Sequence, residues 1–422
     1  MLQINTIKEN PQLIIERLSV KNLDATSIIE QILQLDLKRR EFQKSQDDAL
    51  AESNKIAKEI GTLFQAGKQQ EANDLKGKTG ELKEQARVMG EALDQASNEL
   101  NELLVQLPNL PHSLVPRGKT PEDNEIVSSY GDIPQLINGV PHWDLCSKYD
   151  LIDFELGSKV SGAGFPFYKG KGARLQRALI NFFLEEAVKA GYLEIQPPYV
   201  VNEASAYATG QLPDKEGQMY LANLDKLYLI PTAEVPITNM YRDVILKKED
   251  FPVKNAGYSA CFRREAGSYG KDVRGLNRLH QFDKVEIVQI SLPENSYTIL
   301  EEMREYVSGL LMKLELPFRV VRLCGGDMSF ASAMTYDMEV FAAGQQKWLE
   351  VSSVSNFETF QANRMKLRYR NDAGKMEFAH TLNGSALALP RIVASLLENH
   401  QTPDGIRIPA ALVPYTGFDL IC

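Results

Sequence analysis

Cysteine and histidine are scarce in this sequence, with four cysteines and five histidines in 422 residues. Zinc sites need cysteines or histidines at short, regular spacings, and disulfide-rich domains need many cysteines that can pair. The histidines are scattered, and the cysteines show no CxxC spacing; they are Cys146, Cys261, Cys324 and Cys422. We therefore expect reduced thiols and no zinc.

Long hydrophobic runs and an excess of positive charge are also missing. No stretch approaches the roughly 18 apolar residues of a membrane span, and the N-terminus lacks the basic and apolar segments of a signal peptide. We therefore expect a cytoplasmic protein that does not contact a membrane. The net charge is −9, whereas nucleic-acid binders usually carry a basic surface. Any RNA contact must then depend on local basic patches.

Heptad repeats of apolar residues occupy much of the first quarter of the chain. The first set consists of Ile28, Leu35, Phe42, Ala49, Ile56 and Leu63. The second set follows Gly67 and consists of Leu75, Leu82, Met89, Ala96 and Leu103, preceded in their heptads by Ala72, Ala86, Leu93 and Leu100. Neither helix buries its apolar stripe alone, so the pattern predicts an antiparallel helical coiled-coil arm. Each helix should be on the order of 50–60 Å long.

Two basic clusters interrupt the otherwise mixed charge of this arm. They consist of Lys38, Arg39, Arg40 and Lys44 on the first helix, and Lys76, Lys78, Lys83 and Arg87 on the second. Acidic residues are interleaved throughout, and charged helix faces are usually only solvated. The pattern alone therefore allows a dimerisation or spacer coiled coil as well as an RNA-binding arm.

Residues 107–125 read LPNLPHSLVPRGKTPEDNE and are dense in proline, asparagine and glycine. Such a composition is typical of a linker. The sequence therefore predicts a helical N-terminal domain at residues 1–106, a linker at residues 107–125 and a mixed domain at residues 126–422.

Two runs of alternating apolar residues, 258–265 and 281–290, predict antiparallel strands. Between them lies a long segment with Gly267, Gly270 and Gly275 among Lys271, Arg274 and Arg278. Alternation would place Arg263 and Glu265 on one face of the first strand, and Phe282, Lys284 and Glu286 on one face of the second. A cation, two carboxylates and an aromatic ring on one sheet surface suit a charged, planar ligand such as a nucleotide.

Three stretches of the sequence resemble the motifs of class II aminoacyl-tRNA synthetases, in the form found in seryl-tRNA synthetases. Arg263-Arg264-Glu265 with RLHQFDKVE at residues 278–286 resembles motif 2. The helical residues 173–190 with Pro197-Pro198 resemble motif 1, and residues 381–391 resemble motif 3. The resemblance implies an α+β catalytic domain on an antiparallel sheet flanked by helices, a homodimer, and an N-terminal arm that binds tRNA.

The resemblance also implies the roles of individual residues. ATP would be bound by Arg263, Arg264, Glu265, Phe282, Glu350, Val351, Ser352, Ser353 and Arg391, with Mg²⁺ on Glu350 and Ser353. L-Serine would be bound by Thr232, Ala233, Glu234, Arg263, Glu286, Asn383 and Ser385. Arg263, Glu265 and Arg391 would be catalytic. Asn383 and Ser385 remain alternatives for the contact to the serine hydroxyl.

The implied activity is serine–tRNA ligation: activation of L-serine with ATP, then transfer to tRNA(Ser), with tRNA(Sec) as a second candidate acceptor. A relative that loads a carrier protein is one alternative, but such enzymes lack the long arm. A catalytically inactive RNA-binding scaffold is the other. An inactive scaffold would not need the residues that the resemblance assigns to catalysis and binding, yet the sequence contains Arg263, Glu265, Glu286, Glu350 and Arg391.

Overall fold

The structure of the protein is a computed structural model that describes residues 1–136, 139–214, 216–265 and 274–422. These residues form two compact units: residues 2–19 with 23–108, and residue 1 with 20–22 and 109–422. Gly267, Gly270 and Lys271 of the glycine-rich segment lie outside the described residues. In the part of the chain that is described, no helix combines the length and apolar character that crossing a membrane requires.

The smaller unit is helical. Its helices are α1 (Ile4–Glu9), α2 (Pro11–Val20), α3 (Thr26–Gln65) and α4 (Gln69–Leu104). Gly67 lies in the turn between α3 and α4 with φ +78°, a conformation that glycine adopts without a steric penalty. The long helices are therefore joined by a tight turn, and the predicted antiparallel hairpin is confirmed.

The apolar seam of this hairpin contains the residues that the heptads predict. Ala49 and Ile56 of α3 are buried, as are Ala72, Ala86 and Ala96 of α4. Small residues on α4 let the two helix backbones approach closely, which suits a long hairpin with only one apolar stripe per helix.

The larger unit is organised around an eight-stranded sheet. Its strands are β1 (Glu125–Tyr130), β2 (Leu193–Glu194), β3 (Val253–Phe262), β4 (Gln281–Ser291), β5 (Phe318–Arg322), β6 (Met334–Ala342), β7 (Lys347–Glu358) and β8 (His380–Ala388). The strand order is β1-β5-β6-β7-β8-β4-β3-β2. All neighbours pair antiparallel except β2, which pairs parallel with β3. The predicted α+β class with an antiparallel sheet is confirmed.

Helices and short sheets surround this sheet. The helices are α5 (His142–Lys148), α6 (Phe154–Ser161), α7 (Gly170–Lys189), α8 (Glu203–Thr209), α9 (Glu234–Asn239), α10 (Ser296–Lys313), α11 (Thr359–Met365), α12 (Leu389–Asn399) and α13 (Val413–Thr416). The short strands are Ile152–Asp153, Phe167–Tyr168, Val200–Asn202, Leu221–Ala222, Leu227–Leu229, Ile245–Leu246, Arg368–Arg370, Met376–Phe378, Gln401–Thr402, Gly405–Arg407 and Leu420–Ile421. Helices α7, α10 and α12 pack against the large sheet and share its main apolar core.

The predicted strand at residues 258–265 is wrong at both ends. The observed strand β3 begins at Val253 and ends at Phe262, so Arg263 and Glu265 follow it. It begins earlier because its ladder with β4 continues to the pair Val253 and Ile290. It ends earlier because the Arg264 N–H donates to the Gln218 carbonyl and not to β4, and because Glu265 has φ +51°, which is outside the extended region. The prediction from alternation that Arg263 and Glu265 share one strand face is therefore wrong.

The segment from Glu350 to Ser353, which carries several of the residues that the resemblance assigns to ATP, contains an irregularity of the sheet. It lies inside β7, opposite β6. The register shifts there, so that Met338 faces Ser352 and Glu339 faces Glu350. Val351 is the extra residue of this β-bulge, and bulges commonly redirect side chains next to active sites.

Candidate active site

Strand pairing brings together residues that are distant in the sequence. On β4, Glu286 lies opposite Ser385 of β8. Asn383 of β8 lies opposite Val288 of β4 and Ser355 of β7. The antiparallel order of β7, β8 and β4 therefore concentrates polar side chains at the middle of the sheet.

The core of the site is a buried polar cluster around Glu286. The Nζ atom of Lys284 lies 2.5 Å from Glu286 Oε2, and the Thr232 hydroxyl donates to the same oxygen at 2.9 Å. All three residues are buried. Among the described residues, no donor contacts the other oxygen, Oε1. The cluster is therefore a preformed acceptor for a further cation or hydroxyl.

Glu234 is a second buried carboxylate beside this cluster. Its backbone N–H donates to the Thr232 hydroxyl at 3.1 Å, and its Oε1 accepts from Gln361 Nε2 at 2.7 Å. Burial, and then the charge of Glu286, raise the pKa of Glu234 to about 7. A bound ammonium group would stabilise the ionised carboxylate of Glu234 and lower its pKa again.

Arg263 and Phe282 form the neighbouring part of the site. The Arg263 guanidinium lies over the Phe282 ring, 5.2 Å from its centroid, and its Nε donates to the carbonyl of Pro231 at 3.4 Å. Glu265 pairs with Arg278. Arg264 is exposed, and its backbone N–H donates to the Gln218 carbonyl at 2.9 Å. A cation, a carboxylate and an aromatic face thus lie at the ends of β3 and β4.

The remaining predicted serine contacts differ in what their side chains offer. Asn383 is buried, and its Nδ2 has no hydrogen-bond partner among the described residues. Ser385 is also buried, in register with Glu286. The methyl group of Ala233 packs with Ile237 and Val288 in a small apolar cluster. Any contact from Ala233 to a substrate must then come from its backbone.

The predicted phosphate and Mg²⁺ residues lie on β7 and at the start of α12. Arg391 Nη1 donates to the Glu350 carbonyl at 2.6 Å and lies 3.5 Å from Glu350 Oε2. Ser352 donates to the Ser385 carbonyl at 2.6 Å, and Val351 is in the apolar core. Glu350 therefore offers oxygen ligands beside Arg391, and Ser353 offers a hydroxyl opposite Asp337, whereas the side chains of Val351 and Ser352 are engaged elsewhere.

Three residues that the structure places at the site have no predicted role from the sequence. Alternation predicts only that Lys284 shares a strand face with Glu286, yet the two side chains form an ion pair. Gln361 holds Glu234, and its own orientation is determined because its Oε1 accepts from the Thr381 hydroxyl at 2.7 Å. Asp337 lies opposite Ser353, and burial and the charge of Glu350 raise its pKa well above the usual range. Only the alternation on β4 could have indicated Lys284; the other two come from separate elements.

The basic residues of the arm fall into two groups. Arg39 and Arg40 pair with the buried Asp36 at 2.9 and 3.0 Å, and Arg87 pairs with Glu84 and Glu91, each at 2.6 Å. The Lys76 ammonium lies 4.7 Å from the Phe64 ring centroid. Four lysines are exposed and are absent from the ion pairs of the described chain; they are Lys38, Lys44, Lys78 and Lys83. These four are the most available for an external anion.

Two family models match the chain. Residues 1–111 match the seryl-tRNA synthetase N-terminal domain. Residues 220–400 match the tRNA synthetase class II core domain (G, H, P, S and T).

Full-length relatives and solved structures agree with these matches. The chain is 49% identical to a serine–tRNA ligase of Salinibacter ruber over 99% of this chain and 98% of that protein. It is 45% identical to one of Akkermansia muciniphila over 100% and 99%. The structure of Pyrococcus horikoshii seryl-tRNA synthetase complexed with ATP matches with a TM-score of 0.93 and 34% identity, over 100% and 99%. The cytoplasmic serine–tRNA ligase of Naegleria fowleri in complex with AMP matches with a TM-score of 0.89 and 26% identity, over 100% and 98%. The chain therefore belongs to the seryl-tRNA synthetase family of class II aminoacyl-tRNA synthetases.

Proposed function

We propose that this protein activates L-serine with ATP and transfers the seryl group to the 3′ end of tRNA(Ser). The observation that carries the proposal is the buried cluster of Thr232, Lys284 and Glu286 beside the Arg263–Phe282 pair. One part offers acceptors for an ammonium and a hydroxyl, and the other offers a cation and a ring for a nucleotide. tRNA(Sec) is a second candidate acceptor, which the same charging assay tests.

In the first step, an oxygen of the serine carboxylate attacks the α-phosphorus of ATP. The bond from that phosphorus to its bridging oxygen breaks, so seryl-adenylate forms and pyrophosphate leaves. The nucleophile is already an anion, and no general base is needed. Catalysis then depends on positioning and charge neutralisation. We assign the contact with the carboxylate and the α-phosphate to Arg263, and the contact with the far phosphate to Arg391.

The adenine is proposed to stack on Phe282, with Glu265 near its edge. Phe282 is half-buried and already presents one face to a planar cation, the Arg263 guanidinium. Glu265 is held by Arg278 in a left-handed backbone conformation. In the second step, the 3′-hydroxyl of the terminal adenosine attacks the carbonyl carbon of the adenylate and loses its proton; the bond from that carbon to the phosphate oxygen breaks, and AMP leaves.

Mg²⁺ is proposed to bind at Glu350 and Ser353. Their oxygens fit a hard cation, and the neighbouring Asp337 carboxylate has an oxygen, Oδ1, without a partner among the described residues. Those residues contain no group of three His, Cys, Asp or Glu side chains that could hold a metal. Mg²⁺ does not require one, because it keeps several waters and takes substrate phosphates as ligands. When bound, it supplies charge neutralisation on the phosphates.

Selection of serine is proposed to depend on its hydroxyl and ammonium groups. Glu286, Glu234 and Thr232 surround the ammonium, and Asn383 is the preferred donor to the hydroxyl because its Nδ2 is buried without a partner in the described chain. A pocket that bonds a hydroxyl rejects alanine and glycine, since its polar groups are left unpaired. Exclusion of threonine depends on the space around the side chain.

Serine-dependent ATP–pyrophosphate exchange tests the proposal directly. The assay is run with Mg²⁺ and with serine, threonine, alanine or glycine, followed by charging of tRNA(Ser) and tRNA(Sec). We expect exchange with serine and charging of tRNA(Ser). A folded protein that shows no exchange with any amino acid would contradict the enzyme proposal and favour an inactive RNA-binding scaffold.

The KM for serine is expected to depend on pH through Glu234. The pKa of Glu234 is raised to about 7, so in the free enzyme this group is protonated below pH 7 and cannot pair with an ammonium. The KM for serine should therefore rise as pH falls below 7, by up to about tenfold per pH unit. Exchange assays between about pH 5.5 and 7.5 measure this slope. In Glu234→Gln the KM should be higher and the slope absent; an unchanged slope in that variant would assign the titration to another group.

The arm is proposed to bind tRNA through its exposed lysines. Replacing Lys38, Lys44, Lys78 and Lys83 together by alanine should raise the KM for tRNA by roughly 10- to 100-fold and reduce its salt dependence. Exchange without tRNA should not change. Lys375→Ala, an exposed lysine of the larger unit, serves as the control. An unchanged KM for tRNA in the fourfold variant would remove these lysines from the binding surface.

We also propose a cytoplasmic homodimer, with the tRNA-binding domain at residues 1–106, the linker at 107–125 and the catalytic domain at 126–422. A dimer is supported by exposed apolar residues around the motif 1 segment, namely Val188 of α7, Leu193 of the edge strand β2, and Val200. Exposed apolar patches and strand edges are common features of interfaces. Light scattering during size-exclusion chromatography measures the mass of the assembly.

A further inference from the structure

We propose that His142 and Glu398 form a buried positioning pair that holds the backbone at Leu276 and Asn277 and thereby places Arg391 in the ATP site. The inference rests on the function proposed above, since Arg391 acts there on ATP. Hydrogen bonds and the backbone of Leu276 and Asn277 connect the pair to Arg391.

The pair itself is completely buried. The side chains of His142 and Glu398 are both 0% exposed, and His142 Nδ1 lies 2.7 Å from Glu398 Oε1. The carboxylate also accepts from the backbone N–H of His142, Gly344 and Gln345, each at 2.9 Å. A buried carboxylate destabilises the folded state unless hydrogen-bond donors surround it. Both oxygens of Glu398 accept hydrogen bonds.

The hydrogen bonds determine which nitrogen of His142 carries the proton. The backbone N–H of Leu276 donates to His142 Nε2 at 2.8 Å, so Nε2 is an acceptor and has no hydrogen. The proton must then be on Nδ1, which donates to Glu398. His142 therefore connects the carboxylate on α12 to the backbone at Leu276, in the described part of the glycine-rich segment.

Two further contacts hold the same residues. Asn277 Nδ2 donates to Gln345 Oε1 at 2.8 Å, and Gln345 Nε2 donates to Glu398 Oε1 at 2.7 Å. Gly275 has φ +65°, and a Cβ there would lie 2.2 Å from His142 Nε2. The close approach of this backbone to the imidazole thus requires glycine.

The chain of contacts ends in the candidate site. Arg391 Nε donates to the Asn277 carbonyl at 3.3 Å, and the next residue, Arg278, pairs with Glu265. Arg391 and Glu398 lie on the same helix, α12, two turns apart. Helix α12 is therefore connected to the segment Leu276–Asn277 at two points, through Glu398 and His142 and through Arg391. These two connections limit the positions that the Arg391 side chain can take.

The test compares two substitutions that remove the same ring. In His142→Gln the side-chain oxygen can replace Nε2 and accept from Leu276, whereas in His142→Asn the side-chain amide can replace Nδ1 but does not reach Leu276. We expect His142→Asn to lower kcat/KM for ATP in serine-dependent exchange by about tenfold, with KM for serine changed less than about twofold. His142→Gln should be close to the wild-type protein for both substrates.

The control variant is His400→Asn, because His400 is a second buried histidine of the same unit. This control should not change the ratio of the two KM values. Thermal unfolding is measured for all three variants. The inference is overturned if His142→Asn and His142→Gln lose activity equally, or if KM for ATP and serine rise together, because a purely structural role has those consequences. It is also overturned if His142→Asn behaves as the wild-type protein. An inactive wild-type protein would instead contradict the proposed function.

Discussion

Replacing Arg263 by alanine is expected to lower the kcat of serine-dependent ATP–pyrophosphate exchange by about 10²- to 10³-fold. In the proposed mechanism the Arg263 guanidinium neutralises the charge that develops between the serine carboxylate and the α-phosphate. Removing one donor that is aimed at such a charge typically costs this much in rate. Exchange assays at saturating serine and ATP measure the effect, and titration of each substrate separates kcat from KM.

The contacts of Arg263 suggest that its removal will not unfold the protein. The side chain is only half-buried, and its described contacts are one long hydrogen bond to the Pro231 carbonyl and the Phe282 ring. Arg263→Lys should lose less activity than Arg263→Ala, because it keeps the charge but not the fork of donors. Arg370→Ala, an exposed arginine on a short strand, is the control. Normal exchange by Arg263→Ala would contradict the assigned role.

Replacing Glu286 by alanine is expected both to destabilise the larger unit and to abolish serine activation. The side chains of Glu286 and Lys284 are only 3% and 7% exposed. Removing the carboxylate leaves the Lys284 ammonium buried without its anion, which costs about 3–5 kcal/mol of unfolding free energy. Denaturant unfolding measures the stability, and exchange measures the activity.

A double substitution separates these two effects. Lys284→Met with Glu286→Leu removes both charges and fills a similar volume, and such replacements of buried ion pairs are often neutral in stability. We therefore expect most of the lost stability to return while exchange remains absent. Exchange by the double variant at the wild-type rate would show that Glu286 only supports the fold.

An exposed ion pair provides the matched comparison for stability. Lys248 and Asp372 lie 2.6 Å apart, but their side chains are 46% and 81% exposed. Asp372→Ala should cost less than about 1 kcal/mol, because solvent screens the pair. A loss as large as that of Glu286→Ala would mean that burial does not account for the difference.

The sequence predicted the elements whose residues are close together along the chain. The heptads predicted α3 and α4, since a repeat of seven positions already specifies which face of a helix is buried. The run of residues 281–290 predicted β4, because alternation with a period of two residues specifies the two faces of a strand. The motif residues indicated the family. The roles of individual residues such as Arg263 and Glu286 stay predictions that the variants above test.

The sequence could not predict features that depend on a local exception or on a distant partner. The strand β3 ends at Phe262 because Arg264 donates to the distant Gln218 carbonyl and Glu265 has a positive φ, and no alternation pattern reports either feature. Asp337 faces Ser353 only because of the pairing of β6 and β7. Gln361 and Glu234 are also far apart in the chain, and a hydrogen bond between their side chains joins them only in the folded protein.

The sequence by itself thus determined the helical arm, the sheet-based catalytic domain, the family and a set of candidate residues, because periodic patterns and contiguous motifs are local properties. Tertiary structure alone decided how those residues are oriented and charged. It gave Glu234 its raised pKa by burial beside Glu286, and it brought Glu398 of α12 against His142 of α5. Burial and partner distance are set by the packing of remote elements, so no local pattern encodes them.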